Sequence, residues 1–377
     1  MIKRMSAQVL GPDFQFHLCT LEIENGIIKA LSLSTSQENS CDVVSYDGLK
    51  MIPGLIDVHM HGYHGYSCQT SQAEKLTAMG KWLAKEGVTG YAAGIATTSQ
   101  EKAFSAVRAC RLAAQKRNGA ELLGIHMEGP FLNPLKKGAM DERYMQLPSV
   151  DILKRCLEEA GGLPLLMTLA PEMEGAESFT KYALARGVHL SMGHTAASYE
   201  EAMEAIGWGI RRATHTFNAM APLGHRASGV LGAVLLEDSV QCEMIADFVH
   251  LKPEICKLIY RLKGADRVTL ISDSCQLAGL RQDELPPDTS IILKEAAYLP
   301  DGTLCGSIST VMTGVRNMVT LGIPMEEAIR MASYNPARDL GVEKSVGSID
   351  IGKKANLVVV DDALRVQAVY IEGEQIR

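Results

Sequence analysis

The chain has 377 residues, with 37 Lys or Arg against 44 Asp or Glu and a formal net charge of −7. This acidic balance excludes a general nucleic-acid binder, because phosphate backbones require a basic face. The hydrophobic content of 46% excludes disordered and fibrous classes. No apolar run approaches the roughly 20 residues of a membrane span, and the N-terminus lacks the apolar segment of a secretory signal. Nine cysteines without a C-x-x-C pair indicate reduced thiols, so we predict a cytoplasmic enzyme.

Both ends of the chain carry short strand-like stretches separated by turns. The dipeptide Asn25-Gly26 is typical of a two-residue β-hairpin. The predicted terminal strands are residues 14–24, 27–33, 355–360 and 366–371. Neither end can bury a core alone, so we predict one small β-sandwich domain built from residues 1–52 and 345–377.

The middle of the chain alternates buried strand-like runs with segments of helical period. Eight apolar runs predict strands at residues 51–61, 88–95, 122–128, 165–170, 188–194, 212–217, 242–247 and 268–273. Segments with helical periodicity lie between most of these strands, at residues 101–116, 178–186, 199–206 and 253–262. This α/β pattern predicts a (β/α)8 TIM barrel over residues 53–344. An open doubly wound sheet is disfavoured because no G-x-G-x-x-G turn follows any of these strands.

Polar residues gather at the carboxyl ends of the predicted strands, where barrel enzymes place their catalytic groups. The first strand ends in His59-Met60-His61. Because side chains alternate along a strand, the two imidazoles face the same side and can bind one metal ion together. Taken alone, such a pair is a weak indication, since many buried histidines are only hydrogen-bonded.

Later strand ends add two further histidines and two carboxylates: Glu128, His194, His215 and Asp273. Each residue by itself fits a satisfied core position. As a set of buried polar groups they would be costly without a cation, so we predict a divalent-metal site. With His59 and His61 on one ion and His194 and His215 on another, Glu128 can bridge two metals.

These ligand types indicate a particular chemistry. Imidazole and carboxylate ligands leave an open position on a divalent ion such as zinc, where the pKa of water falls towards neutrality. Asp273 beside that water can accept its proton and later deliver it to a leaving amine. The residues therefore predict metal-assisted hydrolysis of a C–N bond.

Several longer motifs match one family. They are PGLIDVHMHG from Pro53, HMEGPFLNP from His126, GHTAASYEEA from Gly193, ATHTFNAM from Ala213, IADFVH from Ile245, GTLCGS from Gly302 and SYNPAR from Ser333. On these motifs, nearly end to end, the chain resembles the N-acetylglucosamine-6-phosphate deacetylases of the amidohydrolase superfamily. The resemblance implies hydrolysis of N-acetylglucosamine 6-phosphate to glucosamine 6-phosphate and acetate.

The resemblance also implies roles for single residues. The implied principal metal ligands are Glu128, His194 and His215. Asp273 is implied as the acid/base, and the presence of both His59 and His61 implies a second ion. The resemblance implies one or two divalent cations, with zinc ahead of iron, manganese and cobalt.

Substrate contacts are implied for a further set of positions. They are Ala139, Met140, Asn218, Ala219, Arg226, Asp247, Phe248, Val249, His250, Leu304, Cys305 and Gly306. Arg226 and His250 resemble the family's phosphate-binding cations, one of which reaches in from the neighbouring subunit of a homodimer. An acidic protein that binds a dianion needs such a local cation, and arginine binds phosphate through two parallel hydrogen bonds.

Three departures from the family pattern concern the substrate. Met140 stands where many members have a histidine, and a thioether donates no hydrogen bond to an acetyl carbonyl. Phe248 stands where glycine is common, and Ala227-Ser228 replaces the usual Glu-Pro after Arg226. These departures leave the reaction class in place and the exact sugar open.

Other functions remain open at this point. A related amidohydrolase could act on another N-acyl amino-sugar phosphate, such as N-acetylgalactosamine 6-phosphate, or on a cyclic amide. Relatives acting on cyclic amides usually bridge their metals with a carboxylated lysine on strand four, and residues 163–171 contain no lysine. A non-catalytic binding barrel is disfavoured, because it would keep costly buried charges without using them.

Overall fold

The computed structural model describes residues 2–33, 43–116, 118–287 and 289–377. The strands in these ranges are β1 (Ile2–Leu10), β2 (Phe16–Glu24), β3 (Ile27–Leu33), β4 (Val43–Pro53), β5 (Leu55–Met60), β6 (Gly62–Tyr63), β7 (Tyr66–Ser67), β8 (Val88–Ala96), β9 (Glu121–Glu128), β10 (Leu165–Leu169), β11 (His189–Met192), β12 (Arg212–Ala213), β13 (Gln241–Ile245), β14 (Val268–Ile271), β15 (Ile292–Leu293), β16 (Ala297–Tyr298), β17 (Leu357–Val360), β18 (Val366–Ile371) and β19 (Glu374–Gln375). The α-helices are α1 (Ala73–Lys85), α2 (Gln100–Ala114), α3 (Val150–Ala160), α4 (Ala176–Leu184), α5 (Tyr199–Trp208), α6 (Gly229–Leu236), α7 (Pro253–Lys263), α8 (Val311–Thr320), α9 (Met325–Ala332) and α10 (Tyr334–Asp339). Short 3₁₀ turns lie at Pro134–Lys136, Glu142–Tyr144, Ala265–Arg267 and Gln282–Glu284.

Eight parallel strands form the predicted barrel, in the order β5, β8, β9, β10, β11, β12, β13 and β14. The ring closes between β14 and β5 through backbone bonds just past the strands. Asp273 N–H donates to the carbonyl oxygen of His59 (2.9 Å), and His61 N–H donates to that of Ser274 (2.8 Å). Closure brings the carboxyl ends of all eight strands to one rim, so the TIM-barrel prediction is confirmed.

The composition of the barrel strands and helices explains this arrangement. Every residue of β10 is buried, as expected for a parallel strand covered on both faces. Helix α2 buries one stripe, with Ala103, Val107 and Cys110 among its buried residues. Helix α5 begins with a reciprocal capping box between Ser198 and Glu201, which satisfies two backbone N–H groups at its start.

The chain termini form one hydrogen-bonded sheet in the order β19, β18, β17, β4, β1, β2 and β3. Strands β1 and β4 pair in parallel, and the other neighbours pair antiparallel. Strand β17 shows how the sheet sits on the barrel. Leu357 and Val359 pack in the sheet's own core, whereas Val358 and Val360 pack in the barrel core. The predicted small β module from both termini is therefore confirmed, while its boundaries at 52/53 and 344/345 stay predictions.

Several barrel strands differ in their bounds from the predicted runs. Residues 51–53 belong to β4 of the terminal sheet, so the barrel strand begins only at Leu55. The run 212–217 contributes just Arg212–Ala213 to the barrel, and 188–194 just His189–Met192. The polar ends of these runs bend out of the strand conformation, as described below. Among the described residues, no helix combines the length and apolarity needed to cross a membrane.

Candidate metal centre

Six of the predicted side chains converge at the carboxyl rim of the barrel. They are His59, His61, Glu128, His194, His215 and Asp273. Each stands at the end of, or just beyond, a different buried strand, apart from the pair His59 and His61 at the end of β5. The barrel therefore assembles groups that are up to 214 residues apart in sequence, the separation between residues 59 and 273.

Glu128 lies at the centre of this cluster. Its Oε1 atom is 3.0 Å from His194 Nε2 and 2.9 Å from His215 Nε2. Those two Nε2 atoms are 3.1 Å apart. Two imidazole nitrogens and one carboxylate oxygen thus meet at a single point, which is a ligand set for a divalent ion.

A second set of ligand atoms shares Glu128. His61 Nε2 is 3.0 Å from Glu128 Oε2 and 3.3 Å from Asp273 Oδ1. His59 Nε2 is 3.6 Å from Glu128 Oε1 and 3.7 Å from Asp273 Oδ1. The ligand atoms of His59, His61 and Glu128 thus form a second group that is compact enough to hold a metal ion. A carboxylate between two such groups can bridge two cations.

The other nitrogen of three histidines is fixed by a hydrogen bond. Nδ1 of His61 donates to the carbonyl oxygen of Gly94 (3.1 Å), and Nδ1 of His194 donates to that of Lys136 (2.8 Å). Nδ1 of His59 donates to the carboxylate of Glu243 (3.0 Å). With Nδ1 engaged in this way, Nε2 is the nitrogen that each ring can offer to a cation, the usual arrangement around metal-binding histidines.

Three of these residues have a left-handed backbone. The φ angles are 47° for His194, 26° for His215 and 48° for Asp273. Residues other than glycine pay an energetic penalty in this region, and such strain concentrates at functional sites. The bend aims each side chain from the strand end towards the barrel axis, which explains why the strands stop before these residues.

In the absence of a cation, the interactions between the imidazoles and the carboxylates determine the protonation of the cluster. Burial favours neutral His61, but the carboxylates of Glu128 and Asp273 outweigh burial and raise the pKa of His61 to about 9. Burial also favours neutral Glu128, yet the surrounding imidazoles hold its pKa well below the ordinary value. The pKa of Asp273 is lowered against burial by the hydrogen bond and charge of His61. Both carboxylates are therefore ionised at neutral pH, as ligands and proton acceptors must be.

The donor set fits a divalent cation. His59 Nε2 is completely buried and has no hydrogen-bond partner among the described residues, although its lone pair points at the carboxylate cluster. A buried polar atom without a partner is costly, and a cation between these ligands would remove that cost. Mixed imidazole and carboxylate ligands suit zinc, iron, manganese or cobalt better than magnesium or calcium.

His126 lies next to this cluster but has a different environment. Its Nδ1 donates to the carbonyl oxygen of Val58 (3.2 Å), and its Nε2 accepts from the hydroxyl of Thr168 (2.8 Å). Burial, together with the charge of His59, lowers the pKa of His126 to about 3. Both nitrogens are used, so His126 packs beneath His59 as a neutral core residue.

A cavity of about 510 Å³ opens from the candidate metal centre. The predicted substrate positions that line it are Ala139, Met140, Asn218, Ala219, His250, Leu304, Cys305 and Gly306. Gln69 and Thr97 also line the cavity, and neither was predicted, because single polar residues in loops carry no sequence pattern.

The remaining predicted substrate positions lie outside this lining. Asp247 holds the segment before α7: its carboxylate accepts from the backbone N–H of Val249 (2.9 Å) and from His250 Nδ1 (2.7 Å). Phe248 packs partly buried against the barrel core. Arg226 lies exposed on the loop 221–228 and does not line the cavity of its own chain.

His64, on the loop after β5, does not line this cavity. Its ring packs against Trp82 with centroids 3.6 Å apart and lines a separate surface cavity with Lys85 and Arg377. Glu243 was not predicted from the sequence, although among the described residues it is the only carboxylate that bonds to the far nitrogen of a candidate ligand. A charged residue inside the buried run 242–247 was the available signal, since acidic side chains are rarely buried without a partner.

Comparisons with known proteins agree with this geometry. Residues 51–376 match the model of the Amidohydrolase family. N-acetylglucosamine-6-phosphate deacetylase of Vibrio furnissii is 32% identical over 372 residues, covering 97% of this chain and 92% of the relative. N-acetylgalactosamine-6-phosphate deacetylase of Escherichia coli O157:H7 is 30% identical over 363 residues, covering 94% and 93%. The structure of a mutant of N-acetyl-D-glucosamine-6-phosphate deacetylase from Mycobacterium smegmatis, in complex with N-acetyl-D-glucosamine-6-phosphate, superimposes with a TM-score of 0.90 at 28% identity, covering 100% of this chain and 99% of that one.

Proposed function

This chain belongs to the amidohydrolase family and, within it, to the N-acetylglucosamine-6-phosphate deacetylases, and on that premise we propose its reaction. It hydrolyses the amide bond of N-acetylglucosamine 6-phosphate and releases glucosamine 6-phosphate and acetate. The observation that carries the proposal is the convergence of three histidine–carboxylate contacts on Glu128 Oε1 and Oε2 beside Asp273. This is the arrangement that metal-assisted amide hydrolysis requires.

Glu128, His194 and His215 would hold one cation, and His59, His61 and Glu128 a second. When bound, a divalent cation supplies Lewis acidity that polarises the amide carbonyl and makes water acidic near neutral pH. The metal-dependent class follows from the family, and zinc is our proposed ion.

Asp273 is the proposed proton carrier. Its carboxylate is ionised at neutral pH because its pKa is lowered, against burial, mainly by His61, so it can accept a proton from the attacking water. The backbone fixes it on both sides, since Asp273 N–H donates to His59 O and Ser307 N–H donates to Asp273 O (2.8 Å). The same carboxyl group then protonates the amine nitrogen as the C–N bond breaks.

The phosphate needs a cation that one chain does not supply. Among the described residues that line the cavity there is no lysine or arginine, and His250 is paired with Asp247. We therefore propose a homodimer in which Arg226, exposed on its loop, reaches the phosphate in the partner's cavity. The eight cysteines of the described residues are free thiols, which supports the proposal of a cytoplasmic enzyme.

Acetate release tests the proposed reaction. The purified protein, loaded with Zn²⁺ or Mn²⁺, is expected to release acetate from N-acetylglucosamine 6-phosphate faster than from the galactose epimer or the unphosphorylated sugar. Absence of acetate from the wild type would contradict the reaction, and a preference for the epimer would reassign the substrate.

The Asp273→Asn variant tests the proposed proton carrier. We expect kcat to fall by about 10²–10⁴-fold, because the side-chain carboxamide of the variant cannot accept the proton from water. The metal content should stay that of the wild type. Glu159→Gln removes a carboxylate on the outside of the barrel and is the matched control, with an unchanged rate. Wild-type turnover by Asp273→Asn would remove Asp273 from this role.

A further inference from the structure

Glu243 occupies an unusual position inside the barrel. It lies on β13, its side chain is 0% exposed, and it faces the candidate metal centre rather than solvent. Its Oε2 atom accepts from His59 Nδ1 (3.0 Å) and from the backbone N–H of His215 (3.2 Å). One carboxylate oxygen thus contacts residues from both proposed cation positions.

The other side of Glu243 is held by a buried ion-pair network. Its Oε1 atom accepts from a guanidinium nitrogen of Arg212 (2.9 Å). Arg212 pairs in turn with Asp339, which accepts from the hydroxyl of Thr269 (2.5 Å). Because both of its oxygens accept hydrogen bonds, the carboxylate of Glu243 is held in one orientation.

This network contains two carboxylates and one guanidinium. Arg212 and Asp339 balance each other, so the charge of Glu243 remains for His59 and whatever His59 binds. Buried charges are retained only where they are paired. The negative charge that is left over faces the side of the barrel where cation ligands collect.

The bond to Glu243 also decides which nitrogen of His59 carries the proton. With Nδ1 donating to Glu243, Nε2 keeps its lone pair and points towards Glu128 and Asp273. A cation directly between His59, His126 and Glu243 is disfavoured, because His126 uses both nitrogens and the Glu243 bond would have to break.

From these contacts we infer that Glu243 is a positioning residue: it fixes the tautomer and ring orientation of His59 and thereby determines whether the His59–His61 position holds a second cation. The inference rests on the metal-dependent part of the proposed function. It assigns Glu243 no contact with substrate.

Metal stoichiometry of the Glu243→Gln variant tests this inference without any substrate. The glutamine amide has one acceptor oxygen, whereas the carboxylate accepts from Arg212 through Oε1 and from both His59 Nδ1 and the His215 backbone N–H through Oε2. If Arg212 takes that acceptor, the amide N–H₂ faces His59 and forces the proton onto Nε2. We expect the wild type to bind two Zn²⁺ per chain, and the variant to keep one tightly while the affinity for the second falls about 10–100-fold.

The measurement is metal content per chain by mass spectrometry, with affinities from competition against a chromophoric chelator. Glu159→Gln is the matched control and should bind two ions, whereas His59→Asn should reproduce the loss of the second. The Arg212–Asp339 pair stays balanced in Glu243→Gln, which favours folding. If the variant nevertheless misfolds, Glu243→Asp, which keeps the charge but is one methylene shorter, is expected to show the same loss.

Two results would overturn the inference. One is second-site affinity equal to that of the wild type in Glu243→Gln or, where that variant misfolds, in Glu243→Asp. The other is a wild type that binds a single ion at saturating Zn²⁺. Because cation counting is independent of acetate release, a wrong substrate assignment and a wrong role for Glu243 give different outcomes.

Discussion

At the scale of single residues, the position of His61 depends on the absence of a side chain at Gly94. Gly94 lies on β8 beside His126 of β9, and its carbonyl oxygen accepts from His61 Nδ1. A Cβ atom at Gly94 would stand 3.0 Å from His61 Nδ1 and 2.5 Å from the carbonyl oxygen of Met60. The imidazole and the end of β5 therefore occupy the space that any other residue would need.

The Gly94→Ala variant is expected to displace His61 while the rest of the barrel keeps its fold. Overpacking of this kind costs about 1–3 kcal/mol. Because the shortest contact is with the backbone of Met60, the end of β5 must shift, and His61 shifts with it. We expect reduced affinity for the second Zn²⁺ and lower kcat/KM, measured by metal titration and acetate release. Gly207→Ala, where a Cβ would meet no neighbouring atom, is the control. Unchanged second-site binding in Gly94→Ala would contradict this account.

At the scale of elements, helices α2 and α3 are joined by one carboxylate on the outside of the barrel. Glu159 accepts from two nitrogens of Arg108 (2.8 and 2.7 Å) and from Arg155 (3.2 Å). The hydrogen bonds from Arg108 are the largest cause that lowers the pKa of Glu159 to about 2. The Arg108–Glu159 ion pair links the outer faces of two neighbouring helices, where solvent screens much of the electrostatic attraction.

The stability effect of Glu159→Gln should therefore depend on pH. A carboxylate with a lowered folded-state pKa contributes its full stability above the unfolded-state value of about 4.5 and loses it as the pH falls towards about 2. We expect the variant to be about 0.5–1 kcal/mol less stable than the wild type at pH 7. Urea unfolding at pH 7 and pH 3 measures the difference, which should shrink at pH 3; a constant difference would contradict the assigned pKa.

At the scale of the whole molecule, the candidate metal centre exists only in the closed barrel. Its ligands come from the ends of β5, β9, β11 and β12, with Asp273 beyond β14, so an unfolded chain offers no preformed site. A ligand that binds the native state alone stabilises it by mass action. Metal binding is thus a reporter of the global fold.

We expect added Zn²⁺ to raise the Tm of the apoprotein and a chelator to reverse the effect. At a hundred times the Kd the gain is about 2.7 kcal/mol, or about 3 °C for a chain of this size. His215→Asn should shrink the shift, whereas His189→Asn, altered at a half-buried position near the start of β11, should keep it. Differential scanning calorimetry measures both; an equal shift in both variants would contradict His215 as a ligand.

The sequence by itself determined the barrel strands and most of the centre. Buried apolar runs with polar residues at their ends carry a local pattern, and Glu128, His194, His215 and Asp273 stand out at those ends without any tertiary information. The turn between β2 and β3 was likewise predictable from the dipeptide Asn25-Gly26. A two-residue hairpin turn requires positive φ angles, which are 52° at Asn25 and 78° at Gly26.

Only the tertiary structure decided which distant residues meet. Glu243 and His59 are 184 residues apart, and no local period links them. The parallel pairing of β1 with β4 and the separate cavity at His64 likewise arise from packing between distant segments of the chain. Local sequence patterns report which face of an element is buried, whereas contacts between elements depend on how all the buried faces fit together, and that fit is settled only in the folded chain.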